Sequence, residues 1–176
     1  MSRFIRRSAR TVYENPWLRF EAHDIVHPNG QRGEHGVVVT PAASAVVVID
    51  GKDVLLTRQA RFAIDRVTLE IVKGGRAADE DALACAQREL REELGVAAKR
   101  WDSLGEAFEI PSIVALPVAL FLARDIRGVE RELERVESID LVRMPFEVAL
   151  HAVATGVIDD AVTALAFMRA EHMLRT

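Results

Sequence analysis

Residues 12–26, VYENPWLRFEAHDIV, alternate loosely between apolar and polar positions, the period-two pattern of a strand covered on one side. The stretch runs into HPNG, where Asn29-Gly30 is a strong hairpin signal, and a return strand is predicted at roughly 33–40. This ribbon has little apolar content and ends at TPAAS, so residues 1–42 are read as an antiparallel β-ribbon appended to a main domain over 43–176. The main domain opens with two core-like strands, ASAVVVID (43–50) and DVLLTRQ (53–59), joined by a turn at Gly51-Lys52. A short strand VTLEIV (67–72) follows, broken by Gly74-Gly75. DEDALACAQRELREEL (79–94) consists of strong helix formers, with Asp79 as a plausible N-cap and Gly95 as the stop. Further strands are predicted near 102–109, 116–123 and 139–144. Pro145 opens a helix that ends at Gly156, and residues 159–175 form a last amphipathic helix. Strands and helices mix without strict βαβ alternation, which predicts an α/β fold: a mixed sheet with helices on both faces.

Composition adds limits. The chain has 176 residues, 49% of them apolar and 28% charged, enough for one compact domain with a core. Net charge is −4, and no basic block or stripe marks nucleic acid as a partner. Arg6, Arg7 and Arg10 read as a solvated basic terminus. The single cysteine, Cys85, excludes an internal disulfide, and the first residues lack the apolar centre of a signal peptide, so a cytoplasmic protein is expected. The longest apolar run, 113–123, holds Pro117 and is too short to span a bilayer, so no membrane partner is expected.

The central helix raises the chemical question. RELREELGV (88–96) crowds Glu89, Glu92 and Glu93 into the last turns of a helix. Carboxylates there face the negative end of the helix dipole, at about 0.3–1 kcal/mol each. Glu89 also lies at i,i+3 and i,i+4 from the other two, where like charges repel by about 0.2–0.5 kcal/mol per pair. On a helical wheel Leu83, Ala86, Leu90 and Leu94 form one stripe, facing the sheet. Glu89 and Glu93 lie about a quarter turn away, flanked by Glu92 and by the small residues Ala82 and Cys85. A hard divalent cation suits that flank, because Mg²⁺ takes carboxylate oxygens and keeps waters and phosphates as its other ligands. Lys73-Gly74-Gly75 reads as a flexible turn that can bring backbone groups close to a phosphate or metal. An exposed acidic helix laced by i,i+4 pairs fits the same charge pattern, and charge alone does not choose between them.

Spacing does. Gly74, five residues, Glu80, seven residues, then Arg88-Glu89-Leu90-Arg91-Glu92-Glu93-Leu94-Gly95-Val96 resembles the Nudix box at every fixed position. The resemblance implies a Nudix-type α/β/α sandwich carrying a loop–helix–loop motif, and hydrolysis of a nucleoside diphosphate linked to another moiety with Mg²⁺ or Mn²⁺. It implies Glu89 and Glu93 as the core metal ligands, Glu92 assisting, and the Lys73 carbonyl as a further ligand. Arg88 would orient a carboxylate, and Glu80 would be structural. Metal ions neutralise a pyrophosphate and lower the pKa of a bound water, and a carboxylate then takes the proton.

Beyond the box, VYENPWLRFEAHDIVHPNGQ, AVVVIDGKDVLLTRQARFAI and LEIVKGG resemble the ADP-ribose pyrophosphatase branch, as does 156–174. Lys73 before Gly74 resembles the ADP compounds hydrolases within it. The branch implies a homodimer that exchanges the N-terminal ribbon, and an Arg-Gln-aromatic-Arg run that stands here as Arg58-Gln59-Ala60-Arg61 without its aromatic. Arg61, with Arg58, is expected to contact substrate phosphate, the alternative being surface arginines. Trp17 is expected either to stack on a base or to pack between ribbon and core. The branch also places a catalytic glutamate on the loop before the last short strand. VERELERVES (129–138) offers Glu130, Glu132, Glu134 and Glu137, with Glu137 matching a metal-contacting position and Glu134 the base. The expected substrate is ADP-ribose or a related ADP-linked compound, cleaved to AMP and a phosphorylated remainder. Alternatives are a broader pyrophosphatase acting on NADH, diadenosine polyphosphates or GDP-mannose, a non-catalytic ADP-ribose sensor, and an enzyme on nucleoside triphosphates or capped RNA.

Overall fold

The computed structural model describes residues 3–131 and 138–176. The chain divides into two compact units: the chain up to Ala42 together with Phe108–Pro117, and Ala43–Ala107 together with Val118–Thr176.

The first unit is a four-stranded sheet. Strand β1 (Ile5–Glu14) pairs antiparallel with β2 (Arg19–Val26), β2 with β3 (Arg32–Val39), and β3 parallel with the two-residue β9 (Val114–Ala115). The single strand expected over 12–26 is therefore two. Asn15 explains the break: its side-chain oxygen accepts from the N–H groups of Trp17 and Leu18, 2.9 Å each, and its own N–H donates to Leu18 O. Such a turn offers the backbone an alternative to the ladder. The basic start is also a strand rather than a loose terminus, although every residue of β1 is exposed.

The second unit is built on a seven-stranded mixed sheet. Its path is β11 (Ile139–Pro145), β5 (Asp53–Arg61), β4 (Ala43–Asp50), β10 (Pro117–Gly128) and β8 (Val96–Phe108). Strands β6 (Arg66–Glu70) and β7 (Val72–Gly75) pair with β5 and β4 respectively. Among this sheet's pairs with described register only β4–β10 is parallel. Val46 and Val48 of β4 join Ala86, Leu90 and Leu94 of helix α1 (Ala82–Leu94) in one core cluster. Ala45, Val47 and Ile49 alternate with them and are buried too, and helix α3 (Ala161–Arg175) also packs on β4. A strand buried on both faces needs such cover on each. Helix α2 (Phe146–Ala154) packs beside α3, where Phe146 and Phe167 meet edge to face. The unit is the expected α/β/α sandwich.

Three local expectations differ. The predicted strand 67–72 is cut at Ile71, whose N–H donates to Thr163 Oγ1 at 3.1 Å instead of to the sheet. The chain there leaves β5 for β4, and Gly74-Gly75, expected as a flexible turn, extends β7 opposite Ser44 and Ala43. The N-cap of α1 is Asp81, accepting from Ala84 N at 2.8 Å, not Asp79. Leu83 is exposed, and the buried face of α1 takes in Cys85 and Glu93 instead. The helix is rolled toward β7, where Gly74 presents no side chain.

Candidate active site

The carboxylate flank of α1 lies against β7. A Cβ added at Gly74 would stand 1.8 Å from Glu89 Cδ, so the Glu89 carboxylate occupies the space that any other residue would fill. Ser44 Oγ donates to Ala82 O at 2.7 Å and Cys85 Sγ to Gly74 O at 3.6 Å, which tie the first turns of the helix to the same strands. Burial pushes the Cys85 thiol up to about 11, so it is a filler rather than a nucleophile.

Arg88 organises the acids. Its Nε and Nη2 clasp the two oxygens of Glu80, 2.9 Å each, and Nη2 also donates to Gly75 O at 2.9 Å. Its Nη1 donates to Glu89 Oε1 at 2.6 Å and to Glu92 Oε2 at 2.8 Å. The Arg88 fork holds the Glu80 carboxyl down to about 2, helped by the Ala77 N–H against some desolvation. Glu80 in turn is the first cause that raises the Arg88 pKa. The positive charge among these carboxylates is thus Arg88. As the side chains stand, no three His, Cys, Asp or Glu among the described residues converge on a metal position. The donor set nonetheless fits a hard cation: Glu89 and Glu92 are three residues apart on one flank, Glu93 is buried beside them, and the Gly74 cradle lets the acids reach the backbone of β7.

A second array, not foreseen from the sequence, lies close by. Glu70 is almost wholly buried and accepts from Arg61 Nε at 2.9 Å and Nη2 at 2.6 Å, from Lys73 Nζ at 3.0 Å and from Thr68 Oγ1. Lys73 Nζ also donates to Asp160 Oδ1 at 2.8 Å, and Asp160 caps α3 by accepting from Thr163 N. Burial opposes the charge on Glu70, and Arg61, Lys73 and Thr68 outweigh it, holding the carboxyl at about 2. The Lys73 ammonium is raised despite burial by Asp160 and Glu70. Arg61 feels the charges of Glu93 and Asp160 as well as that of Glu70, which brings this array to the carboxylates of α1. The signal was present in LEIV, an acid inside an otherwise apolar short strand.

Arg58 lies three residues from Arg61 on the same strand, hence on its other face, and is paired at 2.8 Å with Asp140 in solvent. Trp17 belongs to the first unit and is 74% exposed. Glu134 and Glu137 lie outside the described residues.

Comparison with known proteins now decides the family. The model of the NUDIX domain matches residues 39–161, which include Gly74, Glu80 and all of α1. The chain belongs to the NUDIX family. The model of the nucleoside diphosphate sugar hydrolase N-terminal domain matches residues 5–38 of this NUDIX protein. An ADP-ribose pyrophosphatase of Bacillus subtilis is 31% identical over 88% of this chain and 85% of its own. A methanol dehydrogenase activator of Bacillus methanolicus is 25% identical over the same shares. A crystal structure of an ADP compounds hydrolase superposes with a TM-score of 0.86 over 98% of this chain and 94% of that one, at 22% identity, a likeness of fold. The enzyme class expected from the sequence, a NUDIX pyrophosphohydrolase, stands with these findings. NUDIX hydrolases generally use divalent metal ions. No helix among the described residues is long and apolar enough to cross a membrane.

Proposed function

We propose that this NUDIX enzyme hydrolyses the pyrophosphate of ADP-ribose or a related ADP-linked compound, giving AMP and a phosphorylated remainder, with Mg²⁺ as the working cation and Mn²⁺ as a substitute. The observation that carries the reading is the Gly74–Glu89–Arg88 arrangement: Arg88 binds the box carboxylates Glu80, Glu89 and Glu92, and Gly74 leaves room for that of Glu89. The relatedness to an ADP-ribose pyrophosphatase supports the substrate class. The N-terminal match supports a wider range that includes nucleoside diphosphate sugars.

In this reading Glu89, Glu92 and Glu93 hold the cation, with the Lys73 carbonyl beside them. The bound cation would neutralise pyrophosphate charge and make a bound water acidic enough to attack. The protein's own residues do the rest. Arg88 draws Glu89 and Glu92 together and orients them by donating to both from one nitrogen. Arg61 offers a guanidinium to the phosphates, whose planar fork suits their oxygens. Glu134 or Glu137 supplies the base that accepts the proton of the water, Glu137 also meeting metal, and Trp17 stacks on the base of the nucleotide. The enzyme is a homodimer that exchanges its N-terminal ribbon, and sedimentation tests the dimer.

The deciding experiment incubates purified protein and ADP-ribose with Mg²⁺, running GDP-mannose, NADH and diadenosine polyphosphates in parallel. AMP release from ADP-ribose, abolished by EDTA and reduced at least about 10²-fold in Glu93→Gln, is the expected result. Binding without cleavage of any substrate, with either metal, would replace the enzyme by a ligand sensor.

A further inference from the structure

The two buried carboxylates among the described residues are Glu93 on α1 and Glu70 at the end of β6. A buried carboxylate costs several kcal/mol of desolvation unless cations and hydrogen bonds compensate it. Glu70 has both: the Arg61 fork, the Lys73 ammonium and the Thr68 hydroxyl. As a device for stability alone this array is a poor choice, since buried ion networks are commonly matched by apolar residues of the same volume.

Its geometry suits another purpose. Glu70 grips Arg61 through Nε and Nη2, one edge of the guanidinium, and Nη1 takes no part in that fork. The Arg61 side chain remains 38% exposed, and it lies within the field of Glu93. Glu70 is itself held from behind: Lys73 links it to Asp160, the cap of α3, and Thr163 Oγ1 takes the Ile71 N–H one residue along. An arginine on a flexible stem loses rotamer entropy when it binds a phosphate, and a fork fixed beforehand removes that cost.

We propose that Glu70 is a positioning residue. It presents Arg61 in one orientation, so that the outward N–H groups of the guanidinium meet the pyrophosphate of the substrate, and Lys73 and Asp160 keep Glu70 in place. The inference rests on the phosphate-contacting role given to Arg61 above.

The test compares wild type, Arg61→Ala, Glu70→Gln and the double variant, each as the full chain. Four quantities are read: kcat and KM for ADP-ribose with Mg²⁺, the Kd of ADP-ribose by calorimetry in EDTA, and the melting temperature. Glu70→Gln is expected to raise KM and the metal-free Kd about tenfold, with kcat changed less than about threefold, because binding rather than the chemical step uses the preset fork. The double variant is expected to bind no more weakly than Arg61→Ala, since Glu70 acts through Arg61. Should Glu70→Gln fail to fold, Thr68→Val removes one hydrogen bond from the same carboxylate. It is then expected to weaken binding in the native background and not in Arg61→Ala. Unchanged Kd in the Glu70 or Thr68 variant, or additive losses in the double variant, would overturn the proposal. Retained metal-free binding in a wild type that releases no AMP would count against the pyrophosphatase and leave the Glu70 comparison decisive. A wild type that binds no ADP-ribose would end both.

Discussion

Two arginines organise the acids of the second unit, and they do it in opposite ways. Arg88 serves Glu80, Glu89 and Glu92, one cation to three carboxylates, with side chains 12–29% exposed. Arg61 shares Glu70 with Lys73, which also pairs with Asp160, two cations to two carboxylates around a side chain 3% exposed. The difference follows from solvation. A deep carboxylate must be balanced on the spot, because leftover charge in low dielectric is not tolerated. A helix flank still in touch with solvent can carry a surplus of negative charge, and a surplus is what admits a further cation. The first array is built to receive charge and the second to hold it still.

The sharpest way to break the receiving array is Gly74→Ala. The new methyl would meet Glu89 at 1.8 Å from Cδ, and the carboxylate, at the far end of a long flexible side chain, would swing away. Stability should change little, while turnover falls about 10–100-fold, the usual cost of losing the partner that orients a metal ligand. Gly75→Ala, whose Cβ meets nothing within 4 Å, is the control and should be near neutral. Equal activity in the two variants would remove the Glu89–Gly74 contact from the mechanism. Their melting curves, run together, separate lost geometry from lost fold.

The holding array should show itself in acid. Burial raises and the Arg61 and Lys73 contacts more strongly lower the Glu70 pKa, to about 2 from an ordinary value of 4.5. A depressed carboxylate stabilises the fold fully above its unfolded pKa and loses that contribution as pH falls through the folded one. Glu70 should therefore contribute on the order of 3 kcal/mol at neutral pH that fades between about pH 4.5 and pH 2. Urea midpoints for wild type and Glu70→Gln should converge over that window and differ most above it. Parallel curves down to pH 2 would mean that the pair does not hold the charge.

What was legible in advance follows the same division. The receiving array is spelled out by a contiguous motif, so Gly74, Arg88, Glu89, Glu92 and Glu93 could be named with their neighbours on a helix. The core strands β4 and β5 were equally plain, because an unbroken run such as AVVV has to be covered on both faces. Elsewhere tertiary contacts prevailed over local pattern. Thr163 lies ninety-two residues beyond Ile71 and takes the N–H that would have continued the strand. Asp160 reads locally as one of two acids before a helix, and nothing in that stretch says that Lys73 will reach it. The Asn15 turn was readable from Asn-Pro, yet the loose alternation on either side masked it.

Arg58 gives the smallest effect and the cleanest contrast. It stands three residues before Arg61, was expected to share its work, and by strand alternation points to the other face. Its partner there is Asp140 at 2.8 Å, with the two side chains 57% and 64% exposed. A pair so open to water is worth about 0.2–1 kcal/mol and weakens further in salt. Arg58→Ala should thus shift the urea midpoint slightly at low salt, not at high salt, and leave KM for ADP-ribose unchanged. Arg61→Ala in the same assay should raise KM. If both raised it alike, substrate would have to reach both faces of β5, and the separation of a holding array from a solvent pair on one strand would fail.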